Sequence, residues 1–181
     1  MNKVPAINLN EKQKQIINLL KNSNDELVIS MLIELKEQQE FFYLHTLLEI
    51  LTSNSSEMLK NAITEFISDI KLQASVKILA DFISHNFPSQ DLVKLVTACW
   101  QSRLDFSQNL DPFFNILING EYFVAFEAFT VIENSIDSLS EEKLSAYMAQ
   151  VKKGVPKANR DKQLLLLEMI SVLDKTKRAA Q

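Results

Sequence analysis

The stretch "DPFFNILINGEYFVAFEAFTVIEN", residues 111–134, decides the fold class of this chain. Its apolar residues recur at intervals of three and four, which is the spacing of one face of an α-helix. Gly120 follows "NILIN", where a glycine is typical of a helix end, and Pro112 falls in a first turn, where its missing N–H costs no hydrogen bond. The stretch therefore predicts two short helices joined by a tight turn.

The same spacing extends to both ends of the chain and predicts about ten helices and no strand. Two glycines and four prolines in 181 residues also favour a helical chain over a turn-rich β fold. N-cap residues are predicted at Asn24, Ser55, Ser89 and Ser140. The predicted helices are 11–21, 25–37, 41–52, 56–69, 72–85, 91–101, 109–118, 121–134, 140–152 and 159–174.

Two series of apolar positions repeat along these helices with a period of 32 to 34 residues. A helical hairpin cannot bury its apolar face alone, so this pattern predicts stacked hairpins that share one core. One series is Leu44, Leu47, Leu48, Leu51, then Val76, Leu79, Ala80, Ile83, then Leu110, Phe113, Phe114, Leu117, then Leu144, Tyr147, Met148, Val151. The other is Leu27, Met31, Leu35, then Leu59, Ile63, Ile67, then Leu92, Val96, Trp100, and more loosely Ala125, Phe129, Ile132.

The paired helices of this pattern resemble the HEAT and HEAT-like repeats, an armadillo-like class of helical repeat. The resemblance covers residues 10–174 and is carried by pairs such as "SEMLKNAITEFISD" with "LQASVKILADFISH" and "EYFVAFEAFTVIEN" with "EEKLSAYMAQVKKG". It implies an all-α fold, a right-handed α-α superhelix (α-solenoid) of about five helical hairpins. The predicted organisation is a flexible N-terminus at 1–9, a repeat domain at 10–174 and a basic C-terminal tail at 175–181.

The aromatic residues of the opening stretch have two interpretations, a ligand pocket or the packing seam of a repeat. Phe113 and Phe114 occupy repeat positions that Leu or Ala fill elsewhere, and they face the small residues of the next helix, so packing is the prediction. Phe123 instead falls on a stripe with Glu127 and Thr130 that points outward, which makes it a candidate partner contact.

The residues that could carry catalysis are isolated in the sequence. Cys99 shares the apolar face of Val96, so a buried thiol is predicted rather than a nucleophile. His45 and His85 lie in different repeats with no metal-ligand spacing, and neither glycine belongs to a phosphate-binding loop. We therefore predict no catalytic residue, no cofactor and no metal site, and a protein that is not an enzyme.

Charge is distributed unevenly along the chain, whose net charge is −4. Residues 91–150 carry a net charge of −6 and residues 151–181 a net charge of +5. A nucleic-acid partner is unlikely on this pattern, since it requires clustered Lys and Arg, whereas a basic protein or peptide suits the acidic middle. One cysteine, no signal peptide and no apolar run of about 18 residues predict a cytoplasmic protein with no membrane segment.

Two functions from different classes remain open at this point. The first is a non-enzymatic interaction scaffold that binds a protein or peptide. The second is an enzyme or enzyme accessory, because some HEAT-like proteins resemble DNA glycosylases or bilin lyases. The sequence leaves the partner and the oligomeric state open.

A candidate binding surface follows from the helices of the first series. Residues two and five positions after the first core residue point away from the core, because a helix turns by about 100° per residue. The resemblance implies that these helices line a concave surface, although an ordinary solvated face is the alternative. The candidate partner contacts are Phe42, Thr46, Glu49, Ile78, Asp81 and Asn115, beside Phe123 on the outer side.

Overall fold

The computed structural model describes residues 9–36, 40–88 and 92–179, and its regular structure within these ranges is entirely helical. The all-α prediction is confirmed. The ten α-helices are α1 Glu11–Asn22, α2 Asp25–Lys36, α3 Leu44–Leu51, α4 Glu57–Ser68, α5 Ser75–Asn86, α6 Leu92–Ser102, α7 Asp111–Asn119, α8 Tyr122–Glu133, α9 Glu141–Gly154 and α10 Arg160–Ala179, with a 3₁₀ turn at Val155–Lys157.

The caps of these helices follow the sequence closely. Asn24 and Ser140 each accept a hydrogen bond from the backbone N–H three residues later, as N-caps do. Ser55 is not the cap of α4; the neighbouring Ser56 is, because the helix begins one residue later than predicted. Ser89 lies outside the described residues.

The ends of the chain differ in part from the predicted boundaries. Helix α10 continues to Ala179, so most of the basic segment 175–181 is the last turn of a helix. Lysine and arginine in that turn suit the partial negative charge of a helix C-terminus. The predicted flexible segment 1–9 lies almost wholly outside the described residues.

The helices form two rows with the core between them. Even-numbered helices pack in the order α2, α4, α6, α8, α10, and odd-numbered helices in the order α1, α3, α5, α7, α9. The rows are joined by contacts of α1 with α2, α3 with α4, α5 with α6, α7 with α8 and α9 with α10. The sequence predicted the other pairing, α2 with α3 and so on, and those pairs are not among the principal contacts of the described residues. The contacts between the rows are therefore shifted by one helix from the predicted pairs.

The predicted aromatic seam is part of this core. Phe113 and Phe114 are fully buried. Phe106 meets Phe113 edge to face with ring centroids 5.1 Å apart, and Phe114 stacks on Tyr147 at 3.9 Å. Packing, not a ligand pocket, accounts for these rings.

The buried face of α2 differs from the prediction by one residue. Val28, Leu32 and Leu35 are buried, whereas Leu27 is half exposed and Met31 only partly covered. The stretch "LVISMLI" carries apolar residues on every side of the helix, so spacing alone does not fix which side faces the core.

Polar contacts between neighbouring helices of a row recur at the repeat distance. The Ser68 hydroxyl donates to the Gln101 side-chain carbonyl at 2.9 Å, and the Lys94 ammonium donates to the Asn61 side-chain carbonyl at 2.7 Å. The sequence separation is 33 residues in both pairs. The Lys71 ammonium similarly reaches a backbone carbonyl 31 residues away. Because the predicted period came from apolar positions alone, these polar contacts support it independently.

Two glycines mark the closest approaches of the C-terminal helices. A Cβ on Gly120 would lie 2.7 Å from the Ile116 carbonyl oxygen, which explains the absence of a side chain where α7 ends. A Cβ on Gly154 would lie 2.8 Å from the Cγ2 methyl of Ile118, so the end of α9 packs directly on the end of α7. The same two Cβ positions would lie 3.0 Å from Val124 on α8 and 3.6 Å from Leu166 on α10, so both glycines also border the even-numbered row.

Candidate functional site

The candidate partner contacts predicted along the odd-numbered row, which we call the ladder, are interrupted at Thr46. Thr46 is only 5% exposed, so its placement on an open surface is wrong. Helix α1 packs beside α3 on this side, and its Lys21 reaches Glu49, one turn from Thr46, at 3.0 Å. A single-helix projection takes no account of neighbouring helices, so it cannot show that Thr46 is buried.

The two acids of the ladder are exposed, but both already have basic neighbours. Glu49 pairs with Lys21 at 3.0 Å and lies 3.3 Å from the Nδ1 atom of His45. Asp81 pairs with Lys77 at 3.0 Å. Their attraction for a basic partner is reduced, because a local cation already neutralises each carboxylate.

The remaining members of the ladder do not form one surface either. Phe42 and Ile78 are half buried and pack against the core. Asn115 is exposed and accepts a hydrogen bond from the Asn119 amide at 2.7 Å. At the candidate contact positions, the odd-numbered row thus exposes polar side chains that are separated by half-buried apolar ones.

Phe123 occupies a different surface and is strongly exposed. Its side chain, on the first turn of α8, is 78% accessible to solvent. Phe126, three residues later, is 50% exposed, and Tyr122 packs edge to face on Phe123. The outward orientation expected for Phe123 is confirmed, and it has an aromatic neighbour that the sequence analysis did not single out.

A hydrogen bond fixes the rotation of α8 about its axis. The indole N–H of Trp100 on α6 donates to the carboxylate of Glu127 on α8 at 2.6 Å. Phe126 precedes Glu127 by one residue and is turned about 100° away from it around the helix. Phe123 precedes Glu127 by four residues and is turned only about 40° from it, so Phe123 lies nearer the α6 side of α8 than Phe126 does.

Helix α10, the neighbour of α8 in the row, carries two more exposed apolar side chains. Leu164 is 61% exposed and Leu167 is 51% exposed. Leu164 follows Lys162 by about 200° of helix rotation, so it points away from the side on which Lys162 contacts Gly120. The run "LLLL" at 164–167 was a usable signal for this exposure, because four consecutive residues of a helix cannot all face the core.

Charged residues of both signs accompany the exposed apolar side chains of α8 and α10. Glu127 and Glu133 lie on α8, whose helix contains no lysine or arginine. Asp161 and Glu168 lie on α10 before and after the exposed leucines, and Glu168 is exposed. The basic residues of α10 are concentrated at its ends, where Arg178 pairs with Asp174 at 2.6 Å.

The residues with catalytic potential are placed as predicted. Cys99 is fully buried, and burial raises the pKa of its thiol far above the usual range. His45 and His85 are exposed. In the part of the chain that the structure describes, no group of three or more His, Cys, Asp or Glu side chains could hold a metal ion.

Lys162 is a buried cation that no local sequence pattern indicated. Its ammonium donates to the carbonyl of Gly120, 42 residues earlier. Burial lowers the pKa of Lys162, and the nearby Glu121 carboxylate opposes that shift. The contact ties the start of α10 to the turn between α7 and α8, so Lys162 has a structural role.

The chain matches no family model, no curated protein and no solved structure in the comparisons made with each. None of the helices in the described ranges combines the length and apolar composition that crossing a bilayer requires.

Proposed function

We propose that this chain is a short HEAT-like α-solenoid that acts as a non-enzymatic scaffold and binds a protein or peptide. One observation carries the proposal. Of the ten large apolar side chains that are exposed in the described residues, eight lie on even-numbered helices. They are Leu27, Ile33, Met58, Tyr122, Phe123, Phe126, Leu164 and Leu167.

The concentration of these side chains on one row supports binding. Single exposed apolar residues are normal on any protein surface, whereas contiguous apolar patches mark interaction sites. Along the odd-numbered helices, Leu19 is the one large apolar residue that is strongly exposed in the described part. Exposed apolar side chains scattered at random would be shared between the two rows. A binding surface on the even-numbered row explains why they are concentrated there.

The helix pairing is consistent with this choice of row. With hairpins of α1 with α2 through α9 with α10, the even-numbered helices are the second helices of each pair. In the HEAT type the second helices line the concave surface. On this proposal the binding surface still lies on the second helix of each pair, as predicted. Because the pairing is shifted by one helix, these second helices are the even-numbered ones.

A peptide-selection experiment tests the proposed function. The full-length chain is immobilised and challenged with a displayed library of random 16-residue peptides. Selection is expected to converge on related sequences that bind the folded chain in solution. Failure to converge, or binding only to chain unfolded in urea, would contradict the proposal.

A control separates specific binding from adhesion to exposed apolar groups. The double variant Leu19→Ser/Leu72→Ser removes the two exposed leucines that lie outside the even-numbered helices. Selected peptides should bind it as they bind the parent chain. A general loss of binding in this variant would indicate nonspecific adhesion.

A further inference from the structure

We infer that a cleft at the C-terminal end of α6 binds an organic acid, with the carboxylate of the ligand on Arg103 and its apolar part beside Trp100 and Phe106. The inference is independent of the scaffold function. The cleft lies at the ends of the even-numbered helices, and none of the strongly exposed apolar side chains of that row lines it.

The cleft consists of two adjoining hollows, one on each side of the end of α6. The hollow on the α8 side has a volume of about 510 Å³, and the hollow on the α4 side has a volume of about 580 Å³. Gln101, Arg103 and Leu104 line both of them. Clefts of about 300–1,000 Å³ are typical of small-ligand sites, so the space is sufficient for a small organic molecule.

The hollow on the α8 side combines apolar walls with one charged group. Arg103 is the one charged residue among the described residues that line it. The Ser135 hydroxyl accepts a hydrogen bond from the Phe106 N–H at 3.3 Å, which holds the far wall against α8. A ligand with an apolar body and a single anionic group complements this lining. The apolar walls are Trp100, Leu104, Phe106 and Val131.

The guanidinium of Arg103 is available to a ligand. Arg103 is exposed, and within the described ranges its side chain forms no ion pair and no hydrogen bond. The two nearby acids already have partners, since Asp69 pairs with Lys36 and the Asp105 carboxylate accepts the Ser107 N–H at 2.8 Å. An arginine can bind a carboxylate through two parallel N–H groups, so the acid of a ligand is a suitable partner.

The backbone of Arg103 adds a second argument. With a φ of 59°, Arg103 is the one residue other than glycine that has a positive φ in the part of the chain described. Glycine is the usual residue in this conformation directly after a helix, because a Cβ strains it. The chain thus has a strained arginine where glycine would be more stable, and ligand binding gives that side chain a reason to be there.

Lys71 makes the end of α6 more favourable for an anion. The C-terminus of a helix carries partial negative charge, which opposes anion binding. The Lys71 ammonium donates to the Ser102 carbonyl at 3.0 Å and so offsets this charge. Lys71 and Arg103 both line the hollow on the α4 side, where the one acid, Asp69, is already paired.

Small acids and their neutral amides test the inference. Octanoate and 4-phenylbutyrate are compared with octanamide and 4-phenylbutanamide by equilibrium dialysis against the full-length chain. Each acid is expected to bind at least about tenfold more tightly than its amide, because only the acid forms charge-assisted hydrogen bonds with Arg103. Trp100 lines the cleft and is the one tryptophan, so its emission should change when an acid binds.

Matched variants locate the site. Arg103→Gln should weaken both acids about tenfold or more, to the level of the amides. Arg160→Gln removes another exposed arginine, at the start of α10, with the same change in net charge and should leave binding unchanged. Both positions are exposed, so circular dichroism of the two variants should match that of the parent chain.

Arg103→Gly separates binding from stability. Glycine relieves the strain at positive φ, so the Tm should rise by about 2–4 °C while acid binding is lost. A Tm below that of the parent chain would assign Arg103 a stabilising role instead and overturn the inference.

A carboxylate beside an apolar group also occurs at the C-terminus of a protein. The tripeptide acetyl-Ala-Ala-Phe with a free carboxylate is therefore compared with 4-phenylbutyrate. Tighter binding of the tripeptide assigns the cleft to a protein C-terminus, and weaker binding assigns it to a free organic acid.

Three results overturn the inference. These are equal binding of acids and amides, absence of binding by every acid, and full binding by the Arg103→Gln variant. None of them affects the scaffold function, which depends on convergence of the random-library selection. Conversely, acid binding that requires Arg103 would stand if that selection failed.

Discussion

The Trp100 indole N–H and the Glu127 carboxylate join α6 to α8 through a hydrogen bond of 2.6 Å. Trp100 is the one tryptophan in the sequence, so its fluorescence reports on this contact without interference from another indole. Both side chains are partly buried beside apolar neighbours. The bond therefore stabilises the even-numbered row and holds the exposed aromatic side of α8 in one orientation.

Loss of the Glu127 carboxylate should destabilise the chain. Glu127→Ala leaves the partly buried indole N–H without its acceptor, at an expected cost of about 1–2 kcal/mol in the free energy of unfolding. Glu127→Gln keeps an acceptor oxygen and should cost less than about 1 kcal/mol. Urea unfolding followed by Trp100 fluorescence measures both values. Equal stability of the alanine variant and the parent chain would contradict the assigned role.

A methyl group at residue 154 should be harmful despite the higher helix propensity of alanine. Gly154→Ala places a Cβ 2.8 Å from the Ile118 Cγ2 atom, so α9 must shift away from α7. We expect destabilisation of about 1–3 kcal/mol from this overpacking. In the Ile118→Ala background the methyl that clashes is gone, and the same glycine substitution should cost much less. Thermal unfolding of the four proteins in this cycle gives the coupling energy.

Tyr43 should make the chain sensitive to alkaline pH. Its hydroxyl is buried and donates to the Leu35 carbonyl at 3.1 Å. Burial, aided by the Glu40 charge, raises the pKa of Tyr43 to about 12. Because this folded-state pKa exceeds the ordinary value of about 10, the associated stability is fully present below pH 10 and is lost as the pH rises from 10 to 12.

The Tyr43→Phe variant checks that dependence. At pH 8 it should be less stable than the parent chain by about 1 kcal/mol, because the Leu35 carbonyl loses its donor. Above pH 10 the gap should narrow, since the variant has no phenol to ionise at this position. Tyr147, whose pKa burial also raises, is present in both proteins and cancels in the comparison. A gap that is constant from pH 8 to 11.5 would be inconsistent with the raised pKa.

Cys99 should react slowly with thiol reagents in the native protein. The side chain is fully buried, and its raised pKa suppresses the reactive thiolate. Labelling in urea should be fast. Cys99→Ala/Ser84→Cys provides the control, because residue 84 is exposed and its thiol should label quickly in both states. Native labelling of Cys99 at the rate of the control would mean that the thiol is accessible.

The helices themselves could be predicted from the sequence because the spacing of buried apolar residues within a helix is a local property. In α3, α5 and α7 a single apolar face alternates with polar residues, and Leu47, Leu79 and Phe113 are buried as expected. In α2 the apolar residues surround the helix, and the predicted face was wrong by one residue. Periodicity identifies a helix, but it identifies the buried side only when the other sides are polar.

The candidate site required information that no single helix contains. Thr46 is buried although it points away from the predicted core face of α3, and the buried Lys162 donates to a carbonyl 42 residues away. Which helices pair into hairpins is likewise a property of packing between elements. The apolar period was the same for either pairing, so the sequence could not choose between the two rows as the exposed apolar surface.

The short sequence separation of the helix contacts also determines how the chain folds. The principal helix contacts join elements no more than two places apart along the chain, and proteins with such short-range contacts fold rapidly. During synthesis each new helix can pack on helices that have already been made, without waiting for the C-terminus. We expect α1 to α4 to begin assembling while α9 and α10 have yet to be translated.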